Sequence, residues 1–280
     1  MAKRKIIYFI ILTIFCVLSI FISIKFCDIP ILSIIPLKIA PIFIKPNNSD
    51  MLLYNLSVGY IVSYMFYLLV NFIPELLDAK EKEKELLRLK CAIHREIQAV
   101  IENVRSIWYG MELKVELSSL IKDERINDIN NLFRFETIKN ISEGIKLSDD
   151  SNLATIELSI SWSELLINRF NEISTQINII LTRYKSDLKP EIFYELFYLV
   201  NESLIVGRLP MVIEDGGKIL GKDIFLSECI PCSIKAVQDN IEKTCKIIID
   251  LYNWVNKEYD YLKENIQDEE VVIHKIESIN

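Results

Sequence analysis

Two uncharged apolar runs near the start of the chain constrain everything else it can fold into. Ile6 to Ile24 is 19 residues without a charge, and Met51 to Ile73 is 23. At 1.5 Å per residue the first spans roughly 28 Å as a helix, about the thickness of a bilayer's hydrocarbon core. The 51% hydrophobic composition is therefore an average over two unlike parts. Residues 1–74 read as a transmembrane hairpin, with spans at about 6–24 and 51–73. Residues 75–280 carry most of the charge and read as a water-soluble domain, long enough to bury a core of its own.

A cleaved signal peptide is the competing reading of the first run, because Lys3, Arg4 and Lys5 make a good basic leader. The run is long for such a segment, and no small-x-small cleavage site follows in Ser23-Ile24-Lys25-Phe26-Cys27. An uncleaved anchor is expected. Basic residues then set the orientation. Three precede the first span, and Lys80, Lys82, Lys84, Arg88, Lys90 and Arg95 follow the second, whereas only Lys25, Lys38 and Lys45 lie between. Both termini should be cytoplasmic, with loop 25–50 outside, which makes a multi-pass inner-membrane protein. Prolines 30, 36, 41 and 46 forbid a long helix in that loop and favour an extended cap.

The second span is two-sided. At 100° per residue, Ser57, Tyr60, Tyr64, Tyr67 and Asn71 fall on one stripe, with Asn55, Gly59 and Ser63 on the adjacent face. Polar groups in hydrocarbon are costly unless paired, so this half should face protein or water. Gly59 and Ser63 form a small-xxx-small pair, with Ser19 and Ser23 as a possible counterpart in the first span. Ordinary hairpin packing explains the pattern. So does an oligomer in which Ser57, Gly59, Tyr60, Ser63, Tyr64, Tyr67 and Asn71 line a pore or helix-packing interface.

No proline occurs from Leu76 to Lys189, so a long helix should continue from the second span. Its seam reads Leu86, Leu89, Ile93, Ile97, Val100, Val104, Ile107 and Met111, a heptad-like stripe. Further helices are expected over about 161–186, from Pro190 to about Gly207, and over about 232–264, with a short strand near Met211–Ile213. Segment 113–157 reads as shorter helices and loops. The fold class is mostly α: the hairpin plus a cytoplasmic antiparallel helical bundle.

Candidate chemistry is thin. Gly216 to Asp223 nearly fits the phosphate-binding pattern G-x-x-x-x-G-K-[ST], but Asp223 replaces the hydroxyl, and a turn between elements is the simpler reading. Cys229-Ile-Pro-Cys232 has the C-x-x-C spacing of a redox pair. It lacks the βαβ context, and a zinc site would need a second pair, so semi-buried thiols at a helix start are expected. His94, beside Arg95 on the long helix, is expected to be exposed. The six cysteines do not form a secreted disulfide framework. No catalytic residue, metal or cofactor stands out, and the chain is expected not to be an enzyme; an enzymatic reading would rest on the thiol pair or the glycine loop. A net charge of −7 argues against direct sequence-specific nucleic-acid binding.

The stretch Tyr54-Asn-Leu-Ser-Val-Gly59-Tyr60-Ile-Val-Ser63-Tyr64-Met-Phe66-Tyr67, ending in Phe72-Ile73-Pro74-Glu75, resembles two-transmembrane effector proteins of bacterial anti-phage systems, among them retron-associated membrane effectors. The resemblance covers residues 1–80. It implies an abortive-infection effector, held inactive by a protein or ribonucleoprotein partner on the cytoplasmic domain. On release, the hairpins would assemble as a homo-oligomer in membrane lipid and damage the inner membrane. A membrane-tethered helical scaffold or sensor that recruits a protein partner is the alternative.

Overall fold

The computed structural model describes residues 2–26, 51–119, 128–151, 160–221 and 223–265. Among them the protein is mostly helical and has no β-strand, only two isolated bridges, Lys146 with Phe225 and Asp150 with Ser161. The chain divides into two compact units, residues 1–85 and 86–280. Of the anticipated outer loop 25–50, Lys25 and Phe26 belong to the first helix, and 27–50 lie outside the described residues.

The first unit holds α1 (Ala2–Phe26) and α2 (Met51–Tyr67), which pack against each other. Two helices are long and apolar enough to cross a membrane: Ile7–Ile24 with mean hydropathy 2.8, and the helix that begins its apolar stretch at Leu52. A π-helical turn, Leu68–Phe72, follows α2 directly, and α3 (Ile73–Ser119) follows the turn. Proline explains it. Pro74 has no N–H to give to the carbonyl four residues back, and its ring would collide with that carbonyl. Widening the preceding turn, with Ile73 N–H bonded to the Leu68 carbonyl, moves the obstacle aside and lets helix continue.

In the second unit the seam on α3 is buried from Ile93 onward. Ile97, Val100, Val104 and Met111 are at 0% exposure, whereas Leu86, at the division between the units, is 53% exposed. Two short helices follow, α4 (Ile129–Leu132) and α5 (Phe135–Gly144), then α6 (Trp162–Arg183). Ser161 caps α6, its hydroxyl accepting the Glu164 N–H, and Trp162, Leu166, Phe170, Ile173, Ile177 and Ile180 bury one face. Next comes α7 (Pro190–Asn201), with Pro190 in its first turn, where a missing N–H costs nothing.

Where α7 was expected to reach Gly207, it stops at Asn201. The cause lies on α10 (Lys235–Asn265). Asn240 accepts the Leu204 N–H at 2.9 Å and donates to the Glu202 carbonyl at 2.9 Å and the Tyr198 hydroxyl at 3.1 Å, holding the chain in a turn. Gly207 then passes so close to the Val200 carbonyl that a side chain would collide with it.

The strand expected near Met211–Ile213 is instead part of α8 (Leu209–Leu220), where Leu209 and Ile213 bury at helical spacing. The four-residue α9 (Leu226–Cys229) precedes α10, whose buried face includes Ile241, Cys245, Ile248, Leu251 and Val255. α6 packs on α7 and α8, α10 on α5 and α7, and α9 on α5 and α8, around one continuous core.

Candidate functional site

The polar side chains of α2 divide into two sets. Ser57 and Tyr64 are buried, at 5% and 9% exposure, and Tyr60 and Tyr67 are half-buried. The Tyr60 hydroxyl donates to the Leu12 carbonyl at 3.1 Å, and the Tyr64 hydroxyl lies 2.7 Å from Thr13 Oγ1. Thr13 donates its single proton to the Phe9 carbonyl at 2.8 Å, so Tyr64 is the donor of that pair. Ser57 donates back to the Leu53 carbonyl of its own helix at 2.8 Å. Phe9 stacks on Phe72 at 4.1 Å, and Phe15 tilts against Tyr60 at 6.4 Å. Partner numbers on α2 fall as those on α1 rise, so the two helices run antiparallel.

Asn55, Gly59, Ser63 and Asn71 are exposed. A Cβ at Gly59 would meet no atom within 4 Å, so Ser19 and Ser23 do not approach it. Their face of α1 is the one that carries buried Cys16. Asn71 lies in the π turn, which breaks the 100° period on which the stripe was drawn, and it leaves the tyrosine face. Of the seven residues singled out, the structure thus brings Ser57, Tyr60 and Tyr64 together against α1. Gly59, Ser63 and Asn71 lie away from them, and Tyr67 is at the edge.

The glycine loop is not a phosphate cradle. Gly216 to Leu220 are helical, so their N–H groups belong to α8, and only Gly221, at φ +91°, makes the turn. Lys222 is outside the described residues. Asp223 is engaged by Lys146 at 2.7 Å and by the Ser148 hydroxyl at 2.8 Å, contacts that hold its carboxyl below the usual range. Gly216 is small for another reason: a Cβ there would stand 2.5 Å from Cys229 Sγ.

Cys229 closes α9 and Cys232 sits in the turn before α10, so the pair does not open the last helix as expected. Both are free thiols. Burial pushes both up from the ordinary thiol value, the opposite of an activated redox cysteine. Among the described residues no His, Cys, Asp and Glu group could hold a metal ion.

His94 is not exposed. It is at 0% exposure, tilted against the rings of Trp254 and Tyr259, with Nε2 at 2.9 Å from the Val255 carbonyl. A carbonyl only accepts, so Nε2 carries the proton, and Nδ1 is a buried lone pair without a partner. Burial lowers its pKa and keeps the ring neutral. A second perturbed group, Glu195 on α7, is pushed up to about 7 by burial and by the nearby Asp250 and Glu191 carboxylates. Sequence spacing gave no sign of Glu195. His94 could have been found, because it follows Ile93, and 93–94 with 97–98 and 101 is a broader buried arc than a two-position seam.

No protein-family model, curated protein or solved structure matches this chain. The reading of its function rests on its own residues.

Proposed function

We propose that this protein is a two-span inner-membrane protein with cytoplasmic termini, and that its α1–α2 hairpin is the working part. The hairpin carries a cytoplasmic antiparallel helical bundle. It self-associates in the bilayer and perturbs it when a partner on the cytoplasmic domain lets go, as an abortive-infection effector does, without chemistry of its own. One observation carries this reading. Asn55, Gly59 and Ser63 are exposed on a helix whose other exposed residues are all apolar: Leu52, Leu53, Leu56, Val58, Val62, Met65 and Phe66. In hydrocarbon an amide and a hydroxyl need protein partners, and a second copy of the same face offers them at close approach. Tyr60 and Tyr64 are already bonded to α1. They hold the hairpin as a unit, and the outward set supplies the assembly face.

The mechanism is a population shift between a packed state and an assembled, leaky one. The test is expression of the full chain without its partner, read by a potential-sensitive dye. The membrane should depolarise, and Gly59→Leu should prevent it. An intact potential with the chain inserted in the membrane refutes the effector reading.

The second reading, a tethered scaffold, is supported by apolar side chains that stay exposed on the cytoplasmic unit, Ile219 at 79% and Met211 at 55% among them. It predicts that an unrelated hairpin can replace residues 1–74 without loss of activity.

A further inference from the structure

Among the described residues, nothing in the packing requires Gly217 to be glycine. In a helix interior glycine costs about 1 kcal/mol relative to alanine. Its neighbours have their reasons: Cys229 presses on Gly216, and Gly221 holds a positive φ. A Cβ at Gly217 would meet no atom within 4 Å. What it opens on is a cleft of about 650 Å³ between α8 and the start of α6. A glycine at such a place leaves the helix backbone open to close approach by a ligand.

The cleft has a definite chemistry. Its floor is aliphatic, from Leu147, Ile167, Ile213 and Ile224, and its walls bring Ser148, Ser163, Asn168, Glu164 and Glu214. It is poorly made for phosphate, because the first N–H groups of α6 are already used. Trp162 N–H bonds the Asp149 carbonyl, Ser163 N–H the Leu147 carbonyl, and Glu164 N–H the Ser161 hydroxyl. Lys218, the lysine among the described lining residues, is matched by Asp215 at 3.4 Å, and Lys146, next to Leu147 in the chain, by Asp223 at 2.7 Å. Glu164 and Glu214 have no ion pair among the described residues, and the C-terminal end of α8, at Gly221, adds the negative end of a helix dipole.

We propose that this cleft binds a small organic cation, an ammonium or guanidinium on an aliphatic stem. The charge lies at Glu164 and Glu214, and the stem lies on the floor against the Gly217 backbone. The site is separate from the hairpin and holds whether or not the effector reading does.

Calorimetric titration of the full chain in detergent with agmatine, a butyl stem with a guanidinium and an ammonium, tests it. Saturable binding is expected. Gly217→Leu, which fills the cleft, should weaken it by about tenfold or more, a loss of roughly 1.4 kcal/mol or more. Glu214→Gln, at an exposed position where refolding is not at stake, should weaken it by about three- to fivefold. The proposal is overturned by no saturable binding up to about 10 mM, well beyond the affinity of a specific small-ligand site. Unchanged binding in folded Gly217→Leu also overturns it, as does ATP or inorganic phosphate binding the cleft in place of agmatine.

Discussion

The two compact units bury opposite kinds of side chain. On the α1–α2 pair most exposed positions are apolar, with Leu52, Leu56 and Phe66 at 72%, 69% and 65%, and Asn55, Gly59, Ser63 and Asn71 are the exceptions on the second helix and its π turn, while Ser57 and Tyr64 sink to 5% and 9%. In the second unit Trp108, Trp162 and Phe170 are at 0%, and the rim is mostly polar and charged, with single apolar side chains such as Ile219 among them. Under the membrane reading proposed above, each unit obeys the same rule in its own solvent. The hydroxyls of Ser57, Tyr60 and Tyr64 turn inward in the first, which leaves Asn55 and Ser63 for a second copy to satisfy, and apolar atoms that water disfavours turn inward in the second. The hydroxyls of Thr13 and Ser57 show how the first unit does so locally, each bonding a carbonyl one turn back on its own helix.

The largest expected effect lies in the second unit. Trp162→Ala removes a fully buried indole at the first turn of α6 and should cost about 3–5 kcal/mol of stability, read by urea unfolding. A loss under about 1 kcal/mol would mean that this region lacks the dense core that sets it apart from the hairpin. Next comes a charge on the apolar surface of the first. Val62 is 62% exposed, and on a water-facing helix Val62→Lys would change little. In lipid it should disfavour insertion by about 2.5–3.5 kcal/mol, seen as a smaller share of chain resisting extraction from membranes. Unchanged membrane retention breaks the comparison outright.

A smaller effect sharpens the account of the second unit, where a buried and a half-buried titratable group pull in opposite directions. His94 has a pKa lowered from 6.5 in the fold, so the unfolded chain binds the proton more readily, and stability falls as pH drops below about 6.5. Glu195 rises from 4.5 to about 7, so the fold holds the proton more tightly, and stability falls as pH rises through that window. Together they flatten the profile between the two. Glu195→Gln should leave a domain that loses stability only towards acid, and His94→Gln one that loses it towards neutral pH. Denaturation midpoints from pH 4.5 to 8 read both slopes, and parallel profiles for the two variants would show that neither group titrates as its surroundings dictate.

Much of the helical framework was legible because its signals are local and repeated. The α6 face from Trp162 to Tyr184 and the seam from Ile93 to Met111 follow from spacing alone, and both are buried. What spacing missed depends on distant residues. α7 ends early because Asn240, far along the chain, captures its turn. Met211–Ile213 joins a helix because the next glycine, Gly216, is there for Cys229 rather than for a loop. A histidine beside an arginine suggests a wet face, and only the close approach of Val255 and Trp254 shows that His94 is buried. The polar half of α2 was visible as a whole, but one helix cannot tell which of its polar residues a second helix will take. The partner must be in place before Tyr64 and Ser63 part ways.

That parting can itself be measured, with the smallest effect of the set. Tyr64→Phe removes one donor and leaves the ring, so packing is kept and Thr13 Oγ1 loses the proton it accepts at 2.7 Å. In water another donor replaces it and the change is near nothing. In a bilayer an interhelical bond of this kind is worth about 0.6 kcal/mol and rarely above about 1.7. A double-mutant cycle with Thr13→Val isolates the pair, because Thr13→Val also breaks the bond to the Phe9 carbonyl and a single substitution would count both. The coupling should appear for Tyr64 with Thr13 and vanish for Ser63→Ala with Thr13→Val, since Ser63 faces outward. In dilute lipid, where copies of the chain rarely meet, Ser63→Ala should be silent. Its effect should emerge only as protein density rises, which separates the face that builds the hairpin from the face that joins hairpins. Equal coupling of both residues to Thr13 would erase the distinction between them.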